Sequence, residues 1–160
     1  MTNEQDLREK FWKSLKGDRT MMLAVDGVDG GHSRPMTAQF ENDRSPIWFF
    51  TSAHNGVVEA LHSGNRAVAT FTSKGHDLFA TVHGRLSLDS DRATIDRLWN
   101  GFVAAWYEGG KEDPALRLLR LDADSAEVWL NENNFLASVK MLVGMDPKAD
   151  YADKNATVSL

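Results

Sequence analysis

Between Leu78 and Leu88 apolar and polar positions alternate. Leu78, Ala80, Val82, Leu86 and Leu88 fall on one side, and Phe79, Thr81, His83, Arg85 and Ser87 on the other. A period of two with one apolar face predicts a half-buried antiparallel strand. The same reading assigns strands to Thr20–Val25 and to Asn65–Thr72, where Ala67, Ala69 and Phe71 share a face. Residues 33–40 and 47–52 read as the two strands of one hairpin, separated by the turn formers Asn42, Asp43, Ser45 and Pro46. In the first of them Arg34, Met36, Ala38 and Phe40 face one way and Ser33, Thr37 and Gln39 the other. Pro35 cannot donate a ladder hydrogen bond, which places its strand at a sheet edge or a bulge. Residues 116–121 and 126–131 read as a last hairpin around Asp122-Ala123-Asp124-Ser125.

Helical spacing is confined to a few stretches. Leu7, Phe11 and Leu15 recur every fourth residue and predict an N-terminal helix, with Thr2 and Gln5 at capping-box spacing and Gly17 as its stop. A short helix is expected over 55–62, ending near Gly64. Ile95, Leu98, Trp99, Phe102, Val103 and Trp106 form one helical stripe, capped by Asp89 or Ser90 and closed by Gly109-Gly110. Asp113-Pro114 suits a brief helical turn, and 134–143 another short helix. Six or seven strands with few helices predict a mainly β protein, a small antiparallel barrel with helices at its ends. One domain spans 1–145 in this reading, and 146–160 is a polar tail.

Composition narrows the function classes. With 160 residues, 42% of them apolar and 26% charged, the chain fits an ordinary globular domain with a real core. A net charge of −5 argues against a broad nucleic-acid surface, which needs clustered positive charge. No apolar run reaches membrane-span length and MTNEQDLREKFW has no signal-peptide core, so the expectation is no membrane and a cytoplasmic location. The absence of cysteine removes disulfides, thiol chemistry and cysteine-ligated metals.

Motifs for catalysis are scarce. The histidines at 32, 54, 62, 76 and 83 form no helical ligand pair, so no metal site is expected. Phosphate-loop, dinucleotide-binding and nucleophile-elbow patterns are absent. His83, opposite the Leu/Val row of its strand, reads as a surface residue. Two features remain. Arg34 stands on a strand interrupted by Pro35, beside a strand ending in the hydroxyls of Thr51 and Ser52, an arrangement able to hold a phosphate. Trp129 lies on the polar face of its strand with Glu127 and Asn131, where a large ring points to a planar ligand, a partner surface or a covering helix.

Five segments taken together carry a resemblance: Ser33-Arg34-Pro35-Met36, Trp48-Phe49-Phe50-Thr51-Ser52, Asn65-Arg66-Ala67-Val68, Val82-His83-Gly84-Arg85 and Ala126-Glu127-Val128-Trp129. In this order they resemble the FMN-binding split barrels related to pyridoxamine 5′-phosphate oxidase. Leu98-Trp99 and Tyr107-Glu108-Gly109-Gly110…Asp113-Pro114 resemble the general stress protein branch. The resemblance covers residues 5–135 and implies a split barrel that works as a homodimer with two flavin sites at the subunit interface. It implies FMN, or FAD, held by Arg34, Pro35, Met36, Phe50, Thr51, Ser52 and Asn55, with Trp129 reaching the flavin from the other subunit. Departures bear on chemistry. The segment His54-Asn55-Gly56-Val57-Val58 lacks the basic residues of the oxidases, Gln39 stands where they carry a Lys, and Asn131-Glu132-Asn133-Asn134-Phe135 replaces their Arg-rich segment. Pyridoxamine phosphate oxidation is therefore not expected, and weaker flavin affinity is. An FMN-dependent oxidoreductase acting on a small substrate and a non-enzymatic protein-interaction module both fit these residues. A haem-binding barrel would need a suitably placed His, and none is evident.

Overall fold

The computed structural model describes residues 3–61, 64–131 and 155–160. In order, the elements are α1 (Glu4–Gly17), β1 (Thr20–Val25), a 3-10 turn (Asp29–Gly31), β2 (Arg34–Thr37), β3 (Gln39–Glu41), β4 (Arg44–Ser52) and α2 (Gly56–Ala60). Then follow β5 (Asn65–Thr72), β6 (Leu78–Asp89), α3 (Arg92–Leu98), α4 (Gly101–Ala104), a second 3-10 turn (Gly110–Glu112), β7 (Leu116–Leu130) and β8 (Asn155–Ser159). All eight strands belong to one antiparallel sheet ordered β2-β1-β5-β6-β7-β4-β3, with β8 added to β7. The chain is mainly β, as its alternation predicts, with the sheet curled as in a split barrel.

The two ends of that strand order are neighbours in sequence. β2 pairs with β1, β3 pairs with β4, and only Ala38 lies between them. Ala38 is fully buried and donates its N–H to the Arg19 carbonyl at 2.7 Å, while the Arg19 guanidinium returns a bond to the Ala38 carbonyl at 3.3 Å. The chain thus steps from one edge of the sheet to the other across a single residue and draws the sheet round into a half-closed barrel. The expected hairpin of 33–40 with 47–52 is corrected accordingly. Only Gln39–Glu41 faces β4, through a two-residue turn at Asn42 and Asp43, whose φ values of 59° and 49° match the hairpin-favoured I′ geometry. Pro35 does lie on an edge strand.

Two apolar clusters sit on opposite sides of β4 and β7. Inside the curl, Leu7, Phe11, Trp12 and Leu15 of α1 close over Met21, Leu23, Ile47, Phe49, Ala69, Val82, Leu119, Leu121 and Val128. Outside, Ile95 and Leu98 of α3 cover Trp48, Leu116 and Leu118, with Phe50, Trp99 and Tyr107 at the margin. Strand β4 is therefore covered on both faces, Ile47 and Phe49 inward and Trp48 outward, which explains why it reads as an unbroken apolar run. The buried edge of Trp48 donates from Nε1 to Asp89 at 3.1 Å, so the ring is covered without an orphaned donor.

Further expectations change. β7 is one strand of 15 residues, not a hairpin. Its polar centre is a bulge: His83 opposes Ser125 and Gly84 opposes Ala123, which leaves Asp124 as the extra residue, while the Ala123 N–H bonds Ser45 Oγ at 2.9 Å. The stripe from Ile95 to Trp106 is split into α3 and α4, because Asn100 caps a new helix, its side chain accepting from the N–H groups of Phe102 and Val103 at 3.0 and 3.1 Å. Phe102 and Trp106 stand 87% and 84% exposed as a result, and Leu88 also faces solvent. At the N-terminus the cap of α1 is Asn3, which accepts from the Asp6 N–H at 2.8 Å. Thr2 and the whole of the helix expected over 134–143 lie outside the described residues. Within the expected polar tail, β8 extends the sheet, with Val158 buried in the core. The turn expected at Asp113-Pro114 falls at Gly110–Glu112, just before it.

Gly84 is required where β6 crosses the bulge. A methyl group there would stand 2.4 Å from the Asp122 carbonyl oxygen and 3.0 Å from the Ala123 Cα, both backbone atoms that cannot rotate away. Gly84→Ala is expected to cost about 2–3 kcal/mol, the upper range for overpacking, read as a lowered urea midpoint at unchanged slope.

Candidate functional site

A cleft of about 370 Å³ opens where the two sheet edges approach each other. Its floor is the end of β2 and start of β3, with Pro35, Met36, Thr37 and Gln39, together with the end of β4, with Phe50, Thr51 and Ser52. α4 and the turn after it supply the roof, Phe102, Val103, Trp106 and Tyr107. These elements meet because β2 and β4 flank the step at Ala38, and because the Asn100 cap aims α4 away from the line of α3.

The lining divides by chemistry. One part is apolar and aromatic: Met36, Phe50, Val103 and the exposed rings of Phe102 and Trp106. Phe50 is braced from behind, edge to face against Trp99 with centroids 5.9 Å apart, and Trp99 in turn meets Tyr107 at 6.3 Å. Burial, with a smaller contribution from the Asp113 carboxylate, holds the Tyr107 phenol above its ordinary pKa, so it stays a neutral donor and acceptor at physiological pH. The other part is polar. Thr51, 7% exposed, accepts at Oγ1 from Asn55 Nδ2 at 3.2 Å, and Ser52 accepts at Oγ from the His54 N–H at 3.2 Å. Each hydroxyl is used as an acceptor in these bonds, which leaves its O–H to donate to a ligand oxygen. Gln39, 8% exposed, adds an amide to the wall.

Of the residues expected to hold a cofactor, Pro35, Met36, Phe50, Thr51 and Ser52 line this cleft together. Asn55 stands one layer back: it caps α2 through its Oδ1, which accepts from the Val57 N–H at 2.9 Å, and its amide orients Thr51. Arg34 lies next to the cleft on β2, its guanidinium paired with the Asp29 carboxylate. Trp129 is not in the lining. It sits half-buried near the far end of β7, in register with Phe79 of β6, whereas the cleft borders the Leu116 end of that strand. Within one protomer the fold does not bring Trp129 to the cleft. Sequence reading did not place Phe102, Val103, Trp106 and Tyr107 at a site, since they continued a helical stripe. The signal was Asn100-Gly101, a dipeptide that caps and breaks helices. Among the described residues no group of three or more His, Asp or Glu is placed to hold a metal ion, and no helix is long and apolar enough to cross a membrane.

Comparison with known proteins assigns the architecture. The model of the family described as pyridoxamine 5′-phosphate oxidase like matches residues 6–149. The chain belongs to this family. Among solved structures it is similar to a general stress family protein from Xanthomonas campestris pv. campestris, at 60% identity and a TM-score of 0.78 over 82% of this chain and 91% of that one. It is similar also to the general stress FMN/FAD binding protein from Xanthomonas citri, at 62% identity and a TM-score of 0.77 over 80% and 91%. General stress protein 26 from Jannaschia sp. CCS1 matches at 27% identity over 99% of this chain and all of that one, with a TM-score of 0.81. Protein bli-3 of Neurospora crassa is 24% identical over 64% of this chain, which spans about half the length of that curated relative, 53%.

Within this family member the exposed rings make a direct test. Replacing Phe102 and Trp106 together by Ser should change stability by no more than about 0.5 kcal/mol if both rings face water in solution. A loss above about 1.5 kcal/mol, measured by urea unfolding at several protein concentrations, would mean that another surface covers them.

Proposed function

We propose that the chain binds FMN in the cleft between β2 and β4, with FAD as the alternative ligand, and works as a homodimer of the general stress type. The observation that carries this reading is the cleft itself. It joins an aromatic and aliphatic wall to two hydroxyls with protons to donate, beside an arginine, and its volume of about 370 Å³ falls in the range of small-molecule sites. The residues fit a flavin phosphate and ring: Thr51 and Ser52 donate to phosphate oxygens, Arg34 adds charge, and Met36, Phe50 and Trp106 offer apolar contact to a planar system. The relative from Xanthomonas citri, described as FMN/FAD binding, supports the same ligand class.

Two further features support the homodimer. Phe102 and Trp106 are too exposed to be left uncovered beside an apolar cleft, and Trp129 needs a second subunit to approach a ligand held there. Bound flavin supplies hydride and electron transfer. The chain's own part is to orient it, to exclude water with the α4 rings and to hold Tyr107 neutral nearby. Gln39 in place of a cation keeps the wall less positive than in the oxidases the chain resembles, which points away from a second phosphorylated ligand such as pyridoxamine phosphate. The location we infer is cytoplasmic.

Absorbance titration with FMN, followed by gel filtration, tests the reading. Flavin bands that travel with a particle of twice the monomer mass are the expected result. A folded protein that binds no flavin at tens of micromolar would overturn it and leave the exposed α4 face as that of an interaction module. Arg34→Ala should weaken FMN binding tenfold or more, about 1.4 kcal/mol, for one lost charge-assisted contact. Unchanged affinity would remove Arg34 from the site.

A further inference from the structure

The guanidinium proposed to meet a phosphate already has an anion on it. Asp29 donates no backbone element to the sheet: it sits in the 3-10 turn between β1 and β2, five residues before Arg34, and its carboxylate pairs with Arg34 Nη2. The pair lies over the start of α2. A methyl group on Gly56 would stand 3.4 Å from Asp29 Oδ2 and 3.6 Å from Arg34 Nη2. The carboxylate therefore occupies the same arginine that a ligand's phosphate would seek.

Its turn is anchored by the buried Val28 and by backbone bonds from Gly31 and His32, and glycines stand close on either side of Asp29. Asp29 has a φ of 48°, and Gly27, Gly30 and Gly31 have φ values of 77°, 63° and 80°, so four of five residues in this short span adopt left-handed conformations. Nothing lies within 4 Å of a side chain added at those three glycines, which leaves the turn bordered by open space. Arg34 keeps 23% of its side chain exposed and Asp29 53%, so the pair is weakly held and exchangeable. Gly30 and Gly31 tolerate the rearrangement of such a turn more readily than residues with side chains do.

Building on the flavin reading above, we propose that Asp29 is an internal competitor for the anionic end of the ligand, so that binding exchanges the Asp29 carboxylate for a phosphate at Arg34. The residue then sets affinity and selects between ligands by their charge. A phosphate must displace the carboxylate, or share Arg34 with it against like-charge repulsion, whereas a neutral-tailed flavin gains nothing from the exchange. Weak retention of a phosphorylated flavin is thereby written into the loop as well as into the missing basic residues.

The test uses the full chain titrated with FMN and with riboflavin, which carries the same ring without the phosphate. Asp29→Asn keeps a residue type that accepts a positive φ and removes only the charge. Expected is about fivefold tighter FMN binding with riboflavin affinity unchanged, and no gain from the same substitution in an Arg34→Ala background. Asp29→Gly, which also accepts the backbone conformation, should reproduce the gain if the asparagine variant is unstable. FMN binding by the wild type that is equal to or tighter than that of both variants would overturn the competitor role while leaving the flavin reading in place. Equal tightening for riboflavin would overturn it as well, since the effect would not pass through the phosphate. If neither wild type nor variants bind either flavin, both readings fall.

Discussion

The barrel depends on one crossing. Ala38 is fully buried, and it exchanges backbone and side-chain hydrogen bonds with Arg19. Those bonds tie the chain to the start of β1 at the moment it leaves that strand's edge for β4's. A sheet that ended there would present two open edges, each with unpaired N–H and C=O groups. Joining them through one residue brings the two edges together and curls the sheet round the interior that α1 covers.

The cleft is a by-product of the same geometry. Where two sheet edges are brought together but not fully zipped, backbone from both meets at an angle and leaves a gap. The gap is lined by whatever the last residues of each edge carry. Here those residues are Pro35 to Gln39 on one side and Phe50 to Ser52 on the other. Pro35 keeps its own edge from pairing further, since it has no N–H to offer. The outer helices then decide how deep the gap is: α3 is held by Ile95 and Leu98 over β4 and β7, while α4 turns off at Asn100 and hangs its aromatic residues over the opening. Polar groups inside are kept in order by short local bonds, Asn55 to Thr51 and His54 to Ser52, rather than by long-range ion pairs.

Much of this was legible from residue pattern. Alternation located β1, β5 and β6 at their observed positions, because a strand with one face in the core and one in solvent writes its period directly into the sequence. Pro35 announced an edge. The failures share a cause. The polar run Asp122 to Ser125 looks the same to local reading whether it turns the chain or bulges out of a long strand, and the difference lies in β6, whose Gly84 accommodates the bulge. The stripe from Ile95 to Trp106 has helical spacing on both sides of a cap, and only the surfaces available to each half show that the second half is not in the core.

Sequence alone determined the class of structure, mainly antiparallel β with an amphipathic N-terminal helix, and the residue types able to grip a phosphate and a flat ring. Those properties are local: they follow from periodicity and from the chemistry of single side chains. The tertiary structure decided which strand edges meet, and so which of those residues share a cleft. It joined Met36 to Phe50 and Thr51, set Asn55 behind them, gave Arg34 a carboxylate for a partner, and left Trp129 at the other end of β7. Pairing between strands depends on contacts distant in sequence, and these carry no period that a single chain can be read for.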